Sequence, residues 1–347
     1  MKLNRLLISL IISLLFIPNY MLGMNKEDIS VKDSIVSASS LPSKDSVIRL
    51  NSLQKSIDTL HQQTNIDSLQ QKDTLNKKRL TTFIIAGASI YAVSMTGLYQ
   101  LWYKNYPQSK FHFFNDNDEW LQMDKMGHFT TTYYISKACY NSLRYSGINE
   151  NKSILFGGGI GIFYLTVIEI LDGFSSQWGF SPGDMTANTL GSGLFVSQQL
   201  LWHEQRIQWK WSFHQSPYAK YRTDLMGNGL KQQWVKDYNG QTYWASINIH
   251  SFLSKGSNFP KWLNLAVGYG AEGMTGAARN STVYNGNPIP PFERYRQFYL
   301  SGDIDLTRIK TRSKTLNTIL NAIGFIKFPF PTLEFSRGKT KFYPLYF

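Results

Sequence analysis

Hydrophobic and polar positions change their spacing twice along this 347-residue chain, and the changes divide it. A basic start at Lys2 and Arg5, an apolar stretch from Leu6 to Ile17 and the small Gly23 have the order of a secretory signal. Residues 1–23 are therefore expected to direct export and to be cut off near Gly23. An uncleaved anchor helix is the alternative, but the apolar run is short for a span. Residues 24–79 contain no Phe, Tyr or Trp and repeat a loose Asp-Ser/Thr-aliphatic unit, as in Asp33-Ser34-Ile35, Asp45-Ser46-Val47 and Asp67-Ser68-Leu69. Such a segment buries too little apolar surface to fold alone, so a disordered low-complexity tether is expected there.

From Leu80 the chain turns apolar with helical spacing. Residues 80–103 carry no formal charge and follow Lys77, Lys78 and Arg79. A charge-free run of about 20 residues is a candidate membrane span. Gly87, Ser89, Ser94, Thr96, Gly97 and Gln100 dilute it, and a helix buried among helices explains it as well. Three further helical patterns cover about 125–145, 151–172 and 182–204. Gly157, Gly158, Gly159 and Gly161 in the second of these let neighbouring helices approach closely.

After Gln205 the period falls to two. Ile207, Trp209, Trp211 and Phe213 alternate with Gln208, Lys210, Ser212 and His214. Similar alternation recurs around Tyr243–Ile249, Leu263–Tyr269 and Phe298–Leu306, and a short helix is expected at 313–323. The end of the chain, through Leu333, Phe335, Tyr343, Leu345 and Phe347, resembles the last strand of outer-membrane barrels. About five strands can be counted, short of the eight or so of single-chain barrels. An antiparallel sheet with one wet face is the simpler expectation. The fold class read from these periods is α+β. A helical bundle of about four apolar helices at 80–205 precedes an antiparallel strand-rich half at 206–347.

Composition narrows the surroundings. The apolar share is 42% and the aromatic share 15%, which suits both a large core and a lipid interface. The net charge of +13 favours anionic neighbours such as lipid headgroups. Nucleic acid is not expected: the chain starts as an exported one and no basic helix carries a nucleic-acid motif. The sequence names no protein partner and no cofactor. Cys139 is the only cysteine, so neither an internal disulfide nor lipid attachment at a processed N-terminal Cys is expected.

Three motifs concentrate polar side chains beside apolar runs. Asp124, Lys125 and His128 come first, then Glu169 and Asp172, then Asp184 and Asn188. Within each motif the spacing of three or four puts side chains on one helix face. An unpaired polar group there is costly, so the three motifs are expected to meet. Asp124 and His128 can ligate a metal or act as a carboxylate-oriented base. The simpler reading makes Asp124 an N-cap with His128 packed in the first turn. Ser181, Pro182 and Asp184 have the order of a capping box, which leaves Asn188 unexplained. Glu169 follows six apolar or weakly polar residues and needs a partner, for which Lys125, His128 and Asn188 are the candidates. Asp172 and Gly173 are expected to close their helix.

At Asp124, Lys125, His128, Phe129, Glu169, Asp172, Asp184, Asn188 and Gly191 the chain resembles a domain-of-unknown-function family described as predicted periplasmic lipoproteins. More distantly it is similar to the VanZ-like membrane proteins. The first resemblance implies the envelope of a Gram-negative cell and brings no activity. The functional expectation is a non-enzymatic envelope protein with a buried polar network, at the outer membrane and facing the periplasm. One alternative is a metal-dependent or acid/base hydrolase of a lipid or cell-wall phosphate, using Asp124, His128, Glu169 and Asp184. The other is a carrier of a lipid or apolar ligand. An inner-membrane location is the rival placement. No His-Glu-x-x-His, nucleophile elbow or phosphate loop is present to favour a reaction.

Overall fold

The structure, a computed structural model, describes residues 74–347 apart from Asn105 and Lys255. The expected export signal and nearly all of the expected tether lie outside the described residues. Helix α1 spans Lys77–Leu98, its first amides capped by Asn76, and a π-helical turn continues it over Tyr99–Tyr103. Helices α2 (Met123–Tyr145), α3 (Glu150–Gly173) and α4 (Pro182–Trp202) pack on one another. Asn149 caps α3, and Ser181 caps α4 with Pro182 in its first turn. Small residues set the helix spacing. A Cβ on Gly161 would fall 2.2 Å from Ser136 Oγ, and one on Gly191 would fall 2.2 Å from the Phe129 carbonyl oxygen. Helix α1 leans on α3, where Tyr164 donates to Ser94 Oγ at 2.7 Å and meets the Tyr91 ring edge-on.

The second half holds strand β1 (Ile207–Phe213), short helices α5 (Thr223–Met226) and α6 (Leu230–Lys236), and strands β2 (Gln241–Ile247) and β3 (Leu263–Glu272). A two-residue pair, β4 (Val283–Tyr284) and β5 (Asn287–Pro288), precedes strand β6 (Tyr295–Ile304). Helix α7 (Lys314–Ile323) and strands β7 (Phe330–Ser336) and β8 (Lys339–Tyr346) complete it. The fold is α+β. The main sheet has six strands in the order β1-β2-β3-β6-β7-β8, every neighbouring pair antiparallel. The count exceeds the expected five because the last segment folds back on itself. Arg337 (φ 49°) and Gly338 (φ 67°) make the tight hairpin between β7 and β8. The sheet also curls. The segment before β7 lies beside β1, where Trp211 donates to Phe325 O and Lys327 donates to Trp211 O, both at 2.9 Å.

The alternation has an unexpected sense. The polar face is the buried one, with Gln208, Lys210, Ser212, Thr242, Ser246, Asn264, Gln297, Ser301, Asp303, Thr332 and Glu334 all inside. Their partners lie within the curl: Lys210 pairs with Asp303 at 2.7 Å, Gln208 donates to Asp305 at 2.8 Å and Tyr343 donates to Glu334 at 2.7 Å. Leu265, Val267, Phe298, Leu300 and Phe335 point outward and are exposed. Val267 lies opposite Leu300, and Phe298 opposite Phe335, so the outer apolar positions form one continuous face. The polar face expected to be wet is therefore buried inside, and over β3, β6 and β7 the outer face is apolar. The helical half has the same apolar exterior around a mixed interior, in which Tyr133, Ile154, Leu165 and Phe195 are buried beside small and polar groups. Ser136, Ser153, Gly157, Gly161, Asn188, Ser192 and Gln198 are buried, whereas Ile85, Leu155, Phe163 and Leu201 are 62–70% exposed.

Candidate functional site

The three motifs meet where the first turns of α2 and α4 pass the last turns of α3. The entry to α2 is unusual: Trp120, Leu121 and Gln122 hold φ of 45°, 49° and 68° in succession. Left-handed backbone costs a residue with a Cβ about 1–2 kcal/mol. The second half clasps this run. Trp120 N donates to Ala277 O at 2.9 Å, and Tyr269 Oη donates to Leu121 O. The turn makes Gln122, not Asp124, the residue at the helix boundary. Asp124 is therefore no N-cap. It lies inside the first turn and accepts a hydrogen bond from Tyr238 Oη, between α6 and β2.

Two linked clusters result. In the first, Lys125 Nζ reaches Asp116 Oδ1 at 2.6 Å and Asp184 Oδ1 at 3.1 Å, and Ser181 Oγ donates to Asp116 Oδ1 at 2.6 Å. Ser181 Oγ also accepts from Asp184 N at 3.0 Å, the capping contact expected at α4. Lys125 thus serves Asp116 and Asp184, not Glu169. Burial and then the Asp124 carboxylate push Asp184 above the usual carboxylate range. Burial would raise Asp116 too, but hydrogen bonds from Asp184, Lys125 and Ser181 outweigh it and hold Asp116 low. Burial opposes charge on Lys125, but Asp116 and Asp184 keep its ammonium above the ordinary value.

The second cluster centres on His128. Its Nδ1 is 3.2 Å from Asn188 Oδ1 and 3.6 Å from Glu169 Oε1, and its Nε2 is 4.0 Å from Asp184 Oδ2. Burial favours neutral imidazole, but Asp124, Asp184 and Glu169 outweigh it and raise the His128 pKa. Thr132 Oγ1 donates to Asn188 Oδ1 at 3.1 Å, and Ser181 N donates to Glu169 Oε2 at 3.1 Å. Glu169 is 1% exposed and Asn188 fully buried, yet Glu169 Oε1 and Asn188 Nδ2 have no hydrogen-bond partner among the described residues. Asp172 stands slightly apart in the last turn of α3, where Tyr103 donates to its Oδ1 at 2.6 Å.

The structure thus brings Asp124, Lys125, His128, Glu169, Asp184 and Asn188 into one polar centre, with Asp172 at its margin. Sequence reasoning missed Asp116, Thr132, Tyr103 and Tyr238 as members. Asp116 sits in the polar run Asn115-Asp116-Asn117-Asp118, where nothing singles it out. Tyr238 arrives from the strand-rich half, 114 residues beyond Asp124, and no local pattern marks it.

Residues 112–199 match the model of a family described as predicted periplasmic lipoprotein (DUF2279). The matched stretch holds Asp116, the helices α2 and α3, most of α4 and every motif residue. The description is of an exported cell-envelope protein and brings no activity with it. No curated protein and no solved structure matches the chain.

Proposed function

We propose that this is a non-enzymatic component of the cell envelope, held in a lipid bilayer, whose polar centre fixes the helical bundle at one end. The observation that carries the reading is the inverted polarity of both halves. A water-soluble fold keeps its large apolar side chains inside, but here Leu, Ile and Phe side chains crowd the outer surface while small and polar groups share the interior with Tyr133, Phe195, Trp244 and Tyr299. Lipid reverses the preference, since hydrocarbon solvates an outward Leu or Phe at no cost. Helices α1 and α3 have 22 and 24 residues, about 33 and 36 Å at 1.5 Å per residue, against a hydrocarbon core of about 30 Å. Neither is a buried core helix: only 11% and 33% of their most apolar windows are inside the protein. Lys77, Lys78 and Arg79 at the start of α1, with the net charge of +13, suit anionic headgroups at the boundary.

The sheet favours the outer membrane over the inner. Its ten-residue strands β3 and β6 alternate polar inside and apolar outside, as outer-membrane strands do. The family description supports export. Density-gradient fractionation followed by alkaline carbonate extraction tests the reading. The protein is expected in the outer-membrane fraction and in the pellet after carbonate. Release by carbonate or high salt overturns the embedded reading, and recovery with inner-membrane markers alone overturns the choice of membrane.

A further inference from the structure

We infer that Asp124, His128 and Asp184 bind one divalent transition-metal cation, with Glu169 as the residue that positions His128. Each of the three offers a ligand atom, and these atoms lie within 4.8 Å of one another. The hydrogen bonds around them select which atoms face the ion. Lys125 occupies Asp184 Oδ1, and Tyr238 occupies Asp124 Oδ1, so in each carboxylate the other oxygen is left for the ion. His128 Nδ1 faces two acceptors, Asn188 Oδ1 at 3.2 Å and Glu169 Oε1 at 3.6 Å. Nδ1 therefore carries a proton. In the neutral ring Nε2 then presents its lone pair to Asp184 Oδ2, 4.0 Å away. Two acceptors facing each other in a buried place need either a shared proton or a cation between them, and the open carboxylate oxygen of Asp124 beside them makes this the place of a cation.

Glu169 supplies the independent observation. Its side chain is 1% exposed, and its Oε1 points at His128 Nδ1 without a hydrogen bond to any group among the described residues. A network built only to hold helices together would satisfy such an atom. A metal-bound histidine donates its second ring N–H to a carboxylate, which fixes the ring and strengthens the ligand. A small tilt of the imidazole completes that bond here. Charge points the same way. Asp116, Asp124, Glu169 and Asp184 surround the ammonium of Lys125 and the ring of His128, so a dication offsets an excess of negative charge.

The ligand types select the metal class. Two carboxylates and one imidazole suit zinc or manganese, whereas magnesium and calcium prefer oxygen alone. Ligand bonds of about 2.0–2.2 Å require the three atoms to close by roughly 1 Å on the ion.

The test uses the whole protein in detergent, stripped with a chelator and titrated with zinc or manganese ions, with magnesium as reference. One ion per chain is expected after gel filtration, together with a higher unfolding temperature. His128→Gln and Asp184→Asn should each weaken binding at least about 100-fold, and Glu169→Gln roughly 10- to 100-fold with the stoichiometry kept. Asp184→Asn also disturbs Lys125 and can unfold the protein, so X-ray absorption on the wild-type complex gives a second reading. One imidazole in a shell of oxygen and nitrogen is expected. Wild-type affinity weaker than about 0.1 mM, affinity unchanged in His128→Gln, or a spectrum without imidazole overturns the inference. Those outcomes leave an imidazolium as the cation of the site. None of them bears on whether the protein sits in a bilayer.

Discussion

Lys125 shows how far one side chain governs this site. It is the ammonium between Asp116 and Asp184, and all three side chains are 6–11% exposed. Removing one partner of a buried ion pair leaves the other charge without compensation, at about 3–5 kcal/mol. Lys125→Met is expected to lose stability of that order in chemical denaturation; a loss under about 1 kcal/mol would mean the cluster is not structural. Lys327 behaves in the opposite way. It is fully buried, 4.0 Å from an Asp303 already paired with Lys210, and burial brings its pKa down to about 8. The unfolded side chain keeps its proton to about pH 10.4, so between those values the unfolded chain binds more protons and stability rises with pH. The wild-type stability minus that of Lys327→Met should therefore grow from pH 8 to 10, by up to about 3 kcal/mol. A flat difference would show that Lys327 titrates as if in water. Asp124 marks the limit of reading residues singly. Its position before an apolar run suggested a cap, but three left-handed residues moved the helix start, and long-range contacts hold them there.

At the scale of elements, glycines decide how closely the helices come together. Gly161 and Gly159 sit two residues apart in α3, yet a Cβ on Gly161 would meet Ser136 Oγ at 2.2 Å and one on Gly159 would meet nothing within 4 Å. Gly161→Ala should destabilise by about 1–3 kcal/mol through overpacking. Gly159→Ala should stabilise by up to about 1 kcal/mol through helix propensity. Thermal unfolding of the two variants side by side checks this, and equal shifts would refute close packing at α3. The helices themselves were legible. The expected 125–145, 151–172 and 182–204 become Met123–Tyr145, Glu150–Gly173 and Pro182–Trp202, because Asn149, Ser181 and Pro182 are local signals. The meeting of the motifs was legible too, since polar groups such as Glu169 among apolar neighbours had to find one another. The sense of the sheet was not. A period of two separates two faces without saying which one turns inward. Only the partners do: Asp303 and Lys210 lie 93 positions apart along the chain yet 2.7 Å apart in space.

For the whole molecule the inverted polarity makes a prediction that no single element makes. Phe298 and Val267 lie on the outward face of the sheet and are exposed. Phe298→Lys should cost little in detergent, within about 0.5 kcal/mol for a surface change. In the cell it should reduce the membrane-bound fraction, because a charge on a lipid-facing strand costs up to about 2–4 kcal/mol at the midplane. Unchanged membrane recovery with the folded state intact would put that face in water. The left-handed entry to α2 has a consequence in time. Trp120 donates to Ala277, and Leu121 and Asp124 accept from Tyr269 and Tyr238, partners all made more than a hundred residues later. During export the helices can wind and pack before these partners have crossed the inner membrane. Asp124 cannot be aimed until they emerge, so the bundle is finished early and its polar centre last.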